Sequence, residues 1–111
     1  MGKMRIDGYE FEGPYIVDKD EMPTFSGIAL ICTEAGEGEK ILAIINGHNI
    51  SQLISESPDK QFWKDNAYHG EVKIYAKEFD DSKRESVSKS MIDKRLKFLT
   101  CQRVEVIQDD W

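Results

Sequence analysis

The run from Ser26 to Ile54, SGIALICTEAGEGEKILAIINGHNISQLI, constrains the fold more than any other part of this chain. Phe25–Thr33 is almost continuously apolar, with bulk from Ile28, Leu30 and Ile31, and reads as a strand buried on both faces. Glu34–Lys40, EAGEGEK, is a turn, because Gly36 and Gly38 reach positive φ without steric cost. Ile41–Ile45 is then a second strand, ended by the turn signal Asn46-Gly47. A helix from about Asn49 to Ser55 follows at once. Asn49 is its N-cap, and Ile50, Leu53 and Ile54 fall at i, i+3 and i+4.

The flanks carry weaker signals. Met1–Thr24 is polar and punctuated by Gly8, Gly13, Pro14 and Pro23, so it reads as an extended arm with a short strand around Tyr15–Val17. Pro58 interrupts the helix, and Gln61-Phe62-Trp63 forms a second short helical turn. Val72, Ile74 and Ala76 alternate with polar residues, so Tyr68–Phe79 is a third strand with one solvated face. Ser82-Lys83-Arg84-Glu85 fits a capping box and opens a helix that lasts to about Leu99. Arg103–Gln108 alternates as a late edge strand would. The expected architecture is α+β: a small mixed or antiparallel three-stranded sheet flanked by helices, in the order β-β-α-β-α, with an optional C-terminal strand. A chain of 111 residues forms one domain, divided into an arm (1–24), a core (25–100) and a C-terminal strand or tail (101–111).

Charge is uneven. Residues 1–59 hold eleven acids against four bases, whereas residues 60–111 hold ten against eleven, for a net charge of −6. The acidic body argues against non-specific nucleic-acid binding, which needs clustered positive charge. Ser82–Arg103, with seven bases and two acids, keeps that reading open as the alternative to a solvated helix face. Cys32 and Cys101 match no metal or redox spacing, and Cys32 reads as a small buried hydrophobe. No stretch nears the roughly 20 apolar residues of a membrane span, and MGKMRIDGYEFEG lacks an apolar leader segment, so a cytoplasmic location is expected.

Beyond element order, FEGPY at Phe11–Tyr15 followed by SGIALI at Ser26–Ile31, the Gln61-Phe62-Trp63 segment and the Ser88–Ile92 helix resemble the GIY-YIG nuclease superfamily, in particular a bacterial subgroup of it. The likeness covers residues 9–98. It implies a chemistry in which two hairpin tyrosines, a helix arginine and a metal-holding glutamate converge on one phosphate. A tyrosine polarises the attacking water, a guanidinium neutralises the phosphoryl oxygens, and a carboxylate holds the cation. Matching Gly27-Ile28-Ala29 to the first motif puts Ala29 at the first tyrosine. Counting back from the helix puts Ala43 at the second and Leu53 at the arginine, and the last helix puts Ser88 at the glutamate. A two-residue gap would restore Gly47 to the second motif but place Ile45 at its tyrosine. None of these side chains can polarise water, clamp phosphate or ligate a metal.

No replacement site stands out. His48 and His69 lie on separate elements, no P-loop or nucleophile elbow is present, and Glu85 reads as a capping residue rather than a metal ligand. Neither a metal nor a cofactor is expected. On the last helix Arg84, Ser88 and Arg95 form a polar stripe among Val87, Met91, Ile92, Leu96, Phe98 and Leu99. Either the two arginines snorkel from the core margins, or the three residues border a relict anion pocket. With the matched catalytic positions inert and the chain small and acidic, the expectation is a non-catalytic GIY-YIG-like module that binds a protein, of inhibitor or immunity type, with Asp18, Asp20, Glu21, Glu34, Glu37 and Glu39 as the candidate surface. The alternative is a nucleic-acid binder or residual nuclease using Lys83, Arg84, Lys89, Lys94, Arg95, Lys97 and Arg103. A self-associating protein, through the apolar hairpin and the late strand, is a third reading.

Overall fold

Two residues, Asp7 and Gly8, decide how the chain begins. Both take positive φ (53° and 85°), which closes a two-residue turn between Gly2–Ile6 (β1) and Tyr9–Ile16 (β2). The computed structural model describes residues 2–36 and 38–102. Within them the hairpin Gly27–Ala35 (β3) and Gly38–Gly47 (β4) leads into Ile50–Ser55 (α1) and Lys60–Asp65 (α2). A 3₁₀ turn at Tyr68–Gly70, the strand Lys73–Glu78 (β5) and the helix Asp81–Arg95 (α3) complete the fold. The sheet has five strands in the order β1-β2-β5-β3-β4, every neighbouring pair antiparallel.

The α+β class holds, but the three-stranded sheet does not. The segment read as an extended arm supplies two further strands, because Met4, Ile6, Tyr9 and Phe11 alternate with charged residues and pack against β5 and α3. The order β-β-α-β-α is not matched either: two strands precede β3, and the short helical turn expected at Gln61-Phe62-Trp63 is the helix α2, between α1 and β5.

Side-chain alternation divides the core into two layers. On one face Ala29, Ile31, Ala43, Ile74 and Ala76 pack under Ile50, Ile54 and Trp63 from α1 and α2. On the other Phe11, Ile28, Leu30, Ile44 and Tyr75 meet Met91 of α3 and Leu99 beyond it. A bulge in β4, between the pairs Ile31↔Ala43 and Cys32↔Ile41, turns both Leu42 and Ala43 toward the first layer. Cys32 and Cys101 are free thiols in opposite layers, where burial pushes both thiol pKa values up.

Three local expectations are corrected. β5 starts at Lys73 rather than Tyr68, because Thr33 Oγ1 accepts the Tyr68 N–H at 2.7 Å and His69 takes φ 55°. The capping box at Ser82 does not form. α3 already begins at Asp81 with Asp80 as N-cap, so Ser82 lies inside the first turn. The helix also ends at Arg95 rather than Leu99, leaving Leu96 and Phe98 45% and 73% exposed outside the core. The expected strand Arg103–Gln108 lies outside the described residues.

Candidate functional site

The positions matched to the two tyrosines are sealed. Ala29 and Ala43 are buried on the same sheet face, and partly buried Leu53 of α1 packs against that layer. Leu53 also covers Gly47, where an added Cβ would lie 2.9 Å from Leu53 Cδ2. Ile45 packs on the same layer, so the gapped alignment brings nothing polar to it either. These positions lie in a closed core beneath α1 and α2. Ser88 does not join the other three. It lies on α3, the helix that packs on the opposite face of the sheet, buried and without a hydrogen-bond partner for its hydroxyl among the described residues. Replacing that hydroxyl with a hydrogen removes an unpaired buried dipole and improves helix propensity. Ser88→Ala is therefore expected to stabilise the fold by about 1 kcal/mol, read as a shift in urea midpoint at unchanged slope.

Arg84 and Arg95 share the sheet-facing stripe of α3, but eleven residues of helix set them about 16 Å apart. Each is committed to its own partners. Arg84 Nε donates to Asp81 Oδ1 at 3.0 Å and its Nη1 to Asn46 Oδ1 at 2.9 Å. Arg95 forks onto both carboxylate oxygens of Asp7 in the β1–β2 turn, and its Nη1 also donates to the Met91 carbonyl at 2.8 Å. These contacts hold the Asp7 carboxyl below the usual range, with Arg95 the main cause. The two guanidiniums thus pin the ends of α3 to the sheet and do not border one pocket.

The densest polar cluster was not foreseen. At the N-terminal end of α3, Asp81 accepts from Ser26 Oγ at 2.6 Å and from Arg84 Nε, and its Oδ2 lies 3.3 Å from His48 Nδ1. Ser26 precedes β3, His48 follows β4, and Asn46 on β4 takes the other arm of Arg84. Ser26 and His48 both address the aspartate and not each other, so the group is no nucleophile–base relay. It ties one end of the hairpin to α3. Hydrogen bonds from Ser26 and then Arg84 bring the Asp81 carboxyl down to about 2.

The acidic candidates gather at the other end of the sheet. β2 and β3 flank β5, with Ile16 and Cys32 both opposite Lys73, so the turn after β2 and the tip of β3–β4 project past the same end. Asp18, at φ 69°, accepts from Lys60 at 2.7 Å and Lys64 at 2.5 Å, and these contacts lower its carboxyl to about 2. Asp20 Oδ2 accepts the Ile16 N–H at 2.8 Å. Asp18, Asp20 and Glu21 line a cleft of about 490 Å³ floored by Val17, Met22 and Ile54. Glu34 and Glu39 face each other across the hairpin, and Glu39 approaches Lys73 at 3.5 Å. Glu37 lies outside the described residues. Exposed Asp20, Glu21 and Glu34 keep carboxylates without a lysine or arginine partner in the described part.

Two of these contacts have a pH signature. Asp18 and Asp81 fall from the ordinary 3.8 to about 2 on folding, so each stabilises the fold fully above pH 4 to 5. That contribution fades as pH drops through the folded value. The double variant Asp18→Asn/Asp81→Asn is expected to lose stability at neutral pH and to show a flatter acid limb between pH 4 and pH 2, followed by urea midpoints across pH.

Among the described residues no three histidine, cysteine or carboxylate side chains group as a metal site, and no helix is long and apolar enough to cross a membrane. No family model matches this chain, and neither a curated protein nor a solved structure matches it.

Proposed function

We propose that the chain is a non-catalytic GIY-YIG-like module that binds a basic protein surface through its acidic end, in the manner of an inhibitor or immunity protein. One observation carries the reading. Side chains at the positions matched to the catalytic groups are apolar or orphaned, and they sit in two core layers separated by the sheet. Water, a phosphate and a cation cannot meet there without unfolding a layer. The carboxylates of Asp20, Glu21 and Glu34, grouped at one end, provide the complementary field for a cationic partner.

The nucleic-acid alternative has less to work with. Of the basic residues on α3, Arg84, Lys94 and Arg95 already face Asp81 or Asp7, leaving Lys83 and Lys89 on the helix and Lys97 just past its end. Plasmid nicking with Mg²⁺ or Mn²⁺, beside a gel-shift titration across salt, tests the reading. Neither cleavage nor a retarded band is expected. Cleavage that disappears in Arg84→Ala would overturn the non-catalytic assignment, and binding with a steep salt slope would move the function to α3.

A further inference from the structure

The outer edge of β4 is where another strand would add to this sheet. β4 is ten residues long and unbroken in apolar character from Ile41 to Ile45. Among the described residues no strand pairs with this edge, and an edge of that kind is a template for pairing with a second chain. The antiparallel ladder fixes which groups face outward. Because the Ile44 N–H points away from β3, Ile44 and Asn46 direct their backbone groups to the edge, and Ile45 and Gly47 direct theirs to β3.

After α3 the chain returns to this edge. The Cys101 N–H donates to the Leu42 carbonyl at 2.8 Å, and the Ile44 N–H donates to Gln102 Oε1 at 2.8 Å. Leu99 enters the α3-side layer and Cys101 the α1/α2-side layer, so the segment straddles the edge with one side chain anchored on each face. The Gln102 side-chain oxygen occupies the place that a neighbouring strand's carbonyl would take. β1, the opposite edge of the sheet, is protected differently, by exposed Lys3 and Arg5. β4 between Ile41 and Ile45 has no charge to play that part.

We propose that Leu99–Gln102 is an edge guard, a strap that keeps β4 from pairing antiparallel with β4 of a second copy. A two-fold arrangement brings the same apolar run against itself, so an edge freed of the strap needs no other complementary surface to form a closed dimer. The inference does not rest on the acidic end, since it is argued from the strap's bonds to Leu42 and Ile44 of β4.

Gln102→Ala, which removes the acceptor, tests it beside Gln102→Glu, which keeps one. Light scattering at two concentrations, with hydrogen exchange at the Ile44 amide, supplies the readouts. The wild type and Gln102→Glu are expected at monomer mass at both concentrations. Gln102→Ala is expected to approach twice that mass at the higher one. Under dilute monomeric conditions its Ile44 amide should exchange roughly tenfold faster, as befits the loss of one hydrogen bond. A folded Gln102→Ala that stays monomeric overturns the proposal. With a fast Ile44 amide the edge is free but not adhesive, and with a slow one the strap is not its guard. A wild type already dimeric at the lower concentration overturns it as well.

Discussion

Gly27→Ala is expected to cost more than about 3 kcal/mol, enough to unfold a large fraction of a domain this size at moderate urea. Gly27 opens β3 and is paired on both sides, with Gly47 on β4 and Glu78 on β5. A Cβ there would be driven into the Lys77 carbonyl oxygen, with Lys77 C at 3.0 Å and Glu78 Cα at 3.1 Å behind it. All three atoms are backbone in a central strand, so none can swing aside as a side chain would. The residue that the sequence resemblance places in a nuclease motif is thus explained here by close strand packing alone. A loss below about 1 kcal/mol in urea unfolding would show that β3 and β5 do not approach as described.

Ser88→Glu carries the second large effect. It introduces the glutamate that the sequence resemblance would place at this position, yet in this fold it is expected to destabilise by about 3 to 5 kcal/mol or to abolish folding. Ser88 is 1% exposed, and its hydroxyl finds no partner among the described residues. A carboxylate there would be an unpaired buried charge, since Arg84 and Arg95 already serve Asp81 and Asp7. Thermal unfolding beside Ser88→Ala separates the charge from the change of residue. A Ser88→Glu protein as stable as wild type, and further stabilised by Mg²⁺, would mean that the position opens to solvent and that the account of it is wrong.

What the sequence revealed follows from how local each signal is. Asn49 was readable as an N-cap because its bond spans three residues, and its Oδ1 does accept the Gln52 N–H at 3.1 Å. The β3–β4 hairpin was readable because burial on both faces leaves a continuous apolar run. The β1–β2 hairpin was missed although Asp7-Gly8 is a hairpin signal. Lys3, Arg5, Glu10 and Glu12 on its solvated face made the whole segment look like an arm. The capping box failed for a tertiary reason: Asp81 is bound to Ser26 and Arg84, and the helix starts there. The Asp81 cluster itself had no local signature, since Ser26 and His48 lie 55 and 33 positions away from it. Arg84 and Arg95 were placed on the right stripe by periodicity, but their carboxylate partners sit on other elements and could not be read from spacing.

The proposed working surface is the acidic end, where charge is what a partner would recognise. The most direct test is a titration with an arginine-rich peptide at low salt, followed by amide shifts in the ¹⁵N spectrum. Shifts are expected at Val17–Thr24, at Ser51–Lys60 and around Glu34. Binding should weaken as salt rises and fall at least about tenfold in Glu21→Lys/Glu34→Lys, because each reversal removes an attraction and adds a repulsion. Shifts that instead follow α3, or an affinity that the double reversal leaves unchanged, would contradict it.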